Sequence, residues 1–388
     1  LFGTISGIGL WASLILKSSF ALIGFGAYLL AIVDLGLDIK YLSIGFLIIV
    51  FLLNILGVKK VGKVQLVIIG FGIFFLIALL GVGIGKLDIN NTNFDIPSNK
   101  KSLLATIAFV YLSYAGVTKI AAVAGEVKNP SRNLPLAMLT SLLIMTVIYS
   151  AVAFILTEYV SPESLKKDYR PIYTLAETLT NNNIYIGYSA AVIGILTLVS
   201  LVNSGVLASS RFPFAMAKDK LLPNYMTYLH PKYLTPVIAI AFTCVMMALV
   251  VIYVDVIKIA KLASAFKITM FIAVNACVIV LRETGVQWYK PTYKSPLYPL
   301  TQILGIIGGI LLLFYLGWMP FIAIIIISLL GTMIYFFYGK KRSMREGIIT
   351  KYGNRPALYM FYGRRKDFNL MQDDFEKKQR KTKLENEI

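Results

Sequence analysis

The chain has 388 residues, of which 57% are hydrophobic and 15% are charged, and its mean hydropathy is +0.74. Because soluble domains have about 25% charged residues, this composition excludes an ordinary soluble protein. In a soluble protein the net charge of +19 would suggest nucleic-acid binding. Here the basic residues gather in loops and in the C-terminal tail, as membrane topology predicts, so no nucleic-acid partner is expected.

Ten apolar segments are predicted to be membrane-spanning helices, because a span requires roughly 20 apolar residues. They are Phe2–Ile32, Tyr41–Leu56, Lys63–Ile84, Ser102–Gly125, Leu134–Thr157, Tyr185–Met216, Thr235–Val254, Val256–Arg282, Leu297–Leu316 and Pro320–Tyr338. The last two lie in one uncharged run, Ser295–Gly339, which we divide at the turn signal Gly317–Pro320. The predicted fold class is an all-α polytopic membrane protein, with a transmembrane domain over residues 1–338.

Basic residues are concentrated on alternate loops. One set of loops contains Lys59, Lys60, Lys63, Lys128, Arg132, Lys218, Lys220, Lys232, Arg282, Lys290 and Lys294. Residues 339–388 extend this set as a basic tail, with 14 Lys and Arg against 7 Asp and Glu, and are expected to contact anionic membrane lipids. The positive-inside rule makes these loops cytoplasmic, so both ends of this chain are predicted to lie inside the cell membrane.

The stretch Thr106–Pro135 interrupts an apolar helix with small and hydroxyl residues. Helical character is predicted to be lost around Ser113–Thr118 and to resume before a polar cluster, Glu126–Pro135. Discontinuous transmembrane helices of this kind free backbone groups to coordinate a solute at the middle of the bilayer. The pattern therefore predicts a transporter whose site lies in this stretch.

Several polar residues fall inside predicted spans, where a charge is costly without a partner or a cavity. Lys17 lies near the centre of its span, and we interpret it as functional or structurally paired. Lys119 follows the interruption, and functional and structural roles are both open. Lys267 is expected to extend to the membrane surface or to be solvated. Asn203 and Ser204 either pack between helices or line the solute or ion path.

No constellation for covalent chemistry is present in the sequence. Cys244 and Cys277 lie within apolar segments, and His230 lies in a polar loop. Since no nucleophile–base pair, metal-ligand cluster or phosphate-binding loop appears, neither an enzyme, a cofactor nor a metal site is expected.

Three groups of motifs follow one another in a specific order. They are Tyr114-x-Gly116 with Gly125–Pro135; Ala208–Arg211, Ala215–Asp219 and His230–Pro236; and Phe271, Asn275, Val280 and Arg282. Together they resemble amino acid permeases of the amino acid–polyamine–organocation (APC) superfamily, over Leu1–Tyr338. The resemblance implies a leucine-transporter-like bundle of inverted repeats. Its first helix here matches the family's third, so ten of twelve helices are expected in this chain and two upstream of it.

The resemblance also implies a site. The residues that would bind substrate are Tyr111, Tyr114, Ala115, Gly116, Val117 and Thr118. Backbone carbonyls of the interruption would accept from the ammonium group of an amino acid, and Gly116 would allow close approach of the backbone. Glu126 would belong to the inner gate or form an ion pair at a helix end.

Coupling to an ion follows less directly from the likeness. Some family members have a lysine in the fifth helix that replaces a coupling sodium ion, but the corresponding position here is Gly72. Lys17 is the nearest substitute charge, and coupling to H⁺ or Na⁺ and exchange are all open.

The predicted function is secondary active transport of an amino acid across the cell membrane by alternating access. Two alternatives share the architecture. A polyamine or organic-cation carrier would need acidic side chains in its site, and the spans contain almost none. A membrane amino-acid sensor would bind its ligand without moving it.

Overall fold

A computed structural model describes residues 2–33, 36–57, 61–87, 100–117, 127–284, 291, 293 and 295–339. In this part of the chain every regular element is a helix. The helices are α1 Phe2–Ile32, α2 Ile39–Ile55, α3 Val61–Gly85, α4 Lys100–Val110, α5 Pro130–Tyr159, α6 Pro162–Leu165, α7 Pro171–Leu179, α8 Ile184–Lys218, α9 Val237–Tyr253, α10 Val256–Glu283, α11 Leu300–Tyr315 and α12 Trp318–Ile334. A 3₁₀ segment, Tyr111–Val117, continues α4.

Within the described residues, the apolar helices overlap the ten predicted segments; residues 118–125 of the fourth segment lie outside that part of the chain. In the described part of the chain, six helices are long and apolar enough to cross a membrane, namely α1, α3, α5, α8, α10 and the α12 region. Four apolar helices, α2, α4 with its 3₁₀ segment, α9 and α11, are shorter, at 10–17 residues. The all-α, multi-pass architecture is thereby confirmed, while the number of complete spans stays a prediction. Residues 340–388, nearly all of the predicted tail, lie outside the described residues.

Helix ends follow local signals that the apolar pattern alone does not give. α5 begins at Pro130, four residues before its predicted start, because proline is favoured in the first helical turn, where its missing N–H is not needed. α2 begins after Asp38, whose side chain accepts a hydrogen bond from the Lys40 backbone N–H at 3.0 Å. Between α11 and α12, Gly317 has a φ of 100°, which glycine adopts without a steric cost, so the predicted turn is confirmed.

Four helices, α1, α2, α8 and α9, form a scaffold joined by polar contacts. The Trp11 indole N–H of α1 donates to Thr243 Oγ1 of α9 at 3.2 Å. The Ser43 hydroxyl of α2 donates to the Leu22 carbonyl of α1 at 2.9 Å. Hydrogen bonds of this kind add specificity between helices in lipid, where apolar contact alone gives little preference.

Glycine brings α8 close to α1. A methyl group at Gly205 would lie 2.0 Å from Ser18 Oγ, and one at Gly194 would lie 2.8 Å from the Tyr28 ring. Small residues at such points allow two helix backbones to approach, and dispersion contacts between them then stabilise the pair.

A short amphipathic helix, α7, was not predicted. It buries Tyr173, Leu175 and Leu179 against α3, α5 and α8. The ammonium of Lys86, just past the end of α3, donates to the Leu179 carbonyl at 2.6 Å. A cation is favourable at that point because the C-terminal carbonyls of a helix carry partial negative charge. α7 thus covers the end of α3, on the face that the loop charges predict to be external.

Candidate functional site

The candidate site begins where α4 stops being an α-helix. The α-helix ends at Val110, and Tyr111–Val117 continues as a 3₁₀ turn, which we call the helix break. A 3₁₀ segment is narrower and rises more steeply, and a run of seven residues is long for this conformation. The predicted interruption, Ser113–Thr118, therefore begins two residues earlier than expected. The predicted return to helix falls on residues 118–126, which lie outside the described residues.

A cavity of about 270 Å³ lies between the helix break and α5. It is lined by Ser113, Tyr114, Gly116, Ser141, Leu142, Met145 and Tyr149. Hydroxyl groups and apolar side chains share this lining, which is the mixture that binds small amphiphilic solutes. The α5 residues were not predicted, because α5 has hydroxyl groups on several faces and the sequence does not distinguish Ser141 and Tyr149, which line the cavity, from Thr140, Thr146 and Ser150, which do not.

Two tyrosines attach the helix break to its neighbours. The Tyr111 ring meets Phe271 of α10 edge-to-face, with centroids 5.6 Å apart. The Tyr114 ring meets Tyr149 of α5 in the same manner, also at 5.6 Å. Such aromatic pairs contribute about 0.5–1.5 kcal/mol beyond the burial of their area. The helix break is therefore held between α5 and α10.

Gly116 is exposed to the cavity, and a methyl group added there would meet no atom within 4 Å. Ala115 and Val117 belong to the 3₁₀ turn, and the structure describes only the backbone of these two residues. The structure thus brings Tyr114 and Gly116, among the predicted site residues, to one cavity. Thr118, Lys119 and Glu126 lie outside the described residues, and their predicted roles stay predictions.

Asn203 and Ser204 make contacts that are typical of helix packing. The Asn54 amide of α2 donates to Asn203 Oδ1 of α8 at 2.8 Å, and Asn54 is buried. The Ser204 hydroxyl donates to the Leu201 carbonyl of its own helix at 3.1 Å. Neither residue lines the cavity beside the helix break. These bonds favour the packing alternative, and a gating role for either residue stays a prediction.

Lys17 and Lys267, the lysines that lie away from the ends of described spans, have different surroundings. Lys17 is half-buried in α1 and is absent from the cavity lining. Lys267 is 5% exposed, although the sequence favours an extended or solvated side chain. The difference arises from tertiary packing: α10 contacts the end of α4 at Ser264 and the helix break at Phe271, one turn on either side of Lys267. In the described part of the chain, no group of three or more His, Cys, Asp or Glu residues could hold a metal ion.

These features define a multi-pass helical membrane protein with a discontinuous helix beside a solute-sized cavity. The chain belongs to the amino acid permease family, since the family model described as "Amino acid permease" matches residues 1–351. The fold class and the family resemblance inferred from the motifs are both confirmed by this match.

Several bacterial transporters are similar to this chain. The branched-chain amino acid permease BcaP of Bacillus subtilis is 27% identical over 289 residues, which cover 74% of this chain and 61% of the relative. The methylthioribose transporter of the same organism is 28% identical over 293 residues, covering 74% and 62%. The serine/threonine exchanger SteT of B. subtilis is 30% identical over 286 residues, covering 70% and 62%. The chain thus spans about three fifths of the length of these curated relatives.

Proposed function

We propose that the protein is a secondary transporter that moves a neutral amino acid across the cell membrane by alternating access. The observation that supports this most directly is the helix break, Tyr111–Val117, beside the cavity lined by Tyr114 and Gly116. Family membership supports the same conclusion, because relatives include permeases named for branched-chain amino acids and for serine and threonine.

In this proposal the helix break supplies the binding groups. The backbone carbonyls of Tyr114, Ala115, Gly116, Val117 and Thr118 accept hydrogen bonds from the substrate ammonium group. The rings of Tyr111 and Tyr114 and the side chain of Val117 border the substrate side chain. Carbonyl oxygens suit an ammonium group, because they are uncharged acceptors that impose little desolvation cost at membrane depth.

The charge of the cavity favours a zwitterion over a polyamine. The described residues that line it have hydroxyl, aromatic, aliphatic or thioether side chains or are glycine, and none of these described residues has a carboxylate. A polyamine has two or more ammonium groups, whose burial requires carboxylate partners. A neutral amino acid is a zwitterion with one ammonium group and no net charge, and is therefore the better fit.

Coupling and orientation complete the proposal. Lys17, Lys119, Glu126, Asn203 and Ser204 are the candidates for coupling or gating, and the driving ion is H⁺ or Na⁺. The loops with most lysine and arginine face the cytoplasm, so both ends of this chain lie there. Membrane lipids are the remaining partners, with the basic residues of the tail on anionic headgroups.

Uptake by proteoliposomes tests the proposal. We expect the purified protein to accumulate radiolabelled L-leucine or L-serine when an inward H⁺ or Na⁺ gradient is imposed, and not to accumulate putrescine. Empty liposomes and liposomes without the gradient are the controls. Putrescine uptake without amino acid uptake would show an organic-cation carrier. Saturable leucine or serine binding without flux or exchange would show a sensor, and either result would overturn the proposal.

A further inference from the structure

Lys267 is a buried lysine at the middle of α10. It lies eleven residues after Val256, which places it roughly 16 Å along the helix. This is about half the thickness of a bilayer's hydrocarbon core. Its side chain is 5% exposed, so it does not extend along the protein surface to the headgroups. Burying an ammonium at this depth is costly, and lysines in such positions occur where they interact with polar groups inside the bundle.

The face of α10 that contains Lys267 contacts α4 on one side of the lysine and the helix break on the other. One turn before it, the Ser264 hydroxyl donates to the Phe109 backbone carbonyl at 2.9 Å. One turn after it, the Phe271 ring meets Tyr111 edge-to-face. Ser264, Lys267 and Phe271 are spaced by three and four residues, so they share one face of the helix. Lys267 therefore lies level with the point at which α4 becomes the helix break.

The ammonium itself is directed along this face. Lys267 Nζ lies 5.7 Å from the centre of the Phe271 ring, within the range of a cation–π interaction. The same ring contacts Tyr111, the first residue of the helix break. Carbonyl dipoles along α4 give its C-terminal end partial negative charge. A cation beside that end is electrostatically favourable, and in a low-dielectric interior the attraction is strong.

We propose that Lys267 is a positioning residue of the transport site. Its ammonium, together with Ser264 and Phe271, fixes where α4 leaves the α-helical conformation. It thereby sets the geometry of the carbonyls that bind substrate. The inference rests on the proposed function, to which it adds a residue that lies outside the cavity lining and acts on the helix break through Phe271, the ring that meets Tyr111.

Two substitutions separate the charge from the length of the side chain. Lys267→Met removes the charge with little change in length, and Lys267→Arg retains it. Lys261→Met, on the same helix at an exposed position, is the matched control. We expect Lys267→Met to raise the KM for leucine or serine at least about tenfold, as the loss of a charge-assisted interaction does. Lys267→Arg should restore most of the affinity, and Lys261→Met should match the wild-type protein.

A second readout does not depend on transport. Ser113 is exposed in the helix break, so Ser113→Cys in a background of Cys244→Ala and Cys277→Ala reports its accessibility. We expect Lys267→Met to change the labelling rate of Cys at position 113 by a water-soluble maleimide severalfold, while Lys261→Met does not. Absence of transport by the wild-type protein would overturn the proposed function, and this labelling would still test Lys267. An unchanged labelling rate, or an unchanged KM in a monodisperse Lys267→Met protein, would overturn the positioning role.

Discussion

Gly116 offers a direct test of whether the substrate lies against the backbone of the helix break. Because a methyl group there would meet no atom within 4 Å, Gly116→Ala should leave the melting temperature of the purified protein unchanged or slightly higher. A substrate that lies against the backbone would collide with the methyl group. We therefore expect the KM for the transported amino acid to rise about tenfold with little change in kcat, since the lost contact is one of binding.

Gly45→Ala is the matched control for that substitution. Gly45 lies in α2, far from the helix break in sequence, and a methyl group added there also meets no atom within 4 Å. It should leave uptake unchanged and the melting temperature unchanged or slightly higher, as at Gly116. If Gly116→Ala transports with the wild-type KM, the substrate does not approach the backbone at this point.

The sequence indicates which types of residue form the candidate site, but it does not indicate which residues of other helices they contact. The glycine and hydroxyl residues around Gly116 indicate a discontinuous helix because they are unusual within an apolar span. The position of Lys267 beside Phe271, and of Asn203 beside Asn54, depends on contacts between helices distant in sequence. No periodicity within a single helix specifies such a contact, which is why the burial of Lys267 differs from the expectation.

The short helix α7 contains a hydrogen bond between two side chains, and its contribution to stability depends on pH. The Tyr173 hydroxyl donates to Glu177 Oε1 at 2.5 Å, and this bond, with burial and the nearby carboxylate charge, raises the pKa of Tyr173 to about 12. The protonated phenol is the form that the folded protein prefers. Its contribution to stability is therefore complete below the ordinary pKa of 10 and is lost as the pH rises through about 12.

Thermal melting at several pH values checks this expectation. At pH 8 the free energy of unfolding of the wild-type protein should exceed that of Tyr173→Phe by about 1 kcal/mol, the net contribution of one hydrogen bond. The difference should shrink above pH 10 and vanish near pH 12, because only the wild-type protein has a phenol to ionise at this position. A difference that stays constant over this range would contradict the assignment.

Long apolar helices can be predicted from the sequence, whereas short amphipathic helices cannot. Helices such as α1 and α10 extend over 31 and 28 residues and were predicted within a residue or two. α7 has nine residues, and its apolar positions become meaningful only when α3, α5 and α8 surround them. The helix break was predicted to within two residues, because backbone that is not α-helical is rare within a span and requires small or polar residues.

In the whole molecule, the proposed orientation assigns each loop to one side of the membrane. Lys167, between α6 and α7, is exposed and should face the exterior, whereas Lys232, between α8 and α9, is exposed and should face the cytoplasm. In a background of Cys277→Ala, a membrane-impermeant maleimide should label Lys167→Cys on intact cells. It should label Lys232→Cys only after the membrane is permeabilised. The reverse pattern would invert the topology.

The scaffold has a consequence for the order in which the protein assembles. Trp11 and its partner Thr243 are 232 residues apart, and Asn54 and Asn203 are 149 apart. At a synthesis rate of about 5–20 residues per second, α1 emerges roughly 10 to 50 seconds before α9. During that interval the polar groups of α1 and α2 that bond to α8 and α9 lack those partners. The scaffold therefore closes late in translation, and truncation before α9 should leave a membrane-inserted but unassembled, protease-sensitive chain.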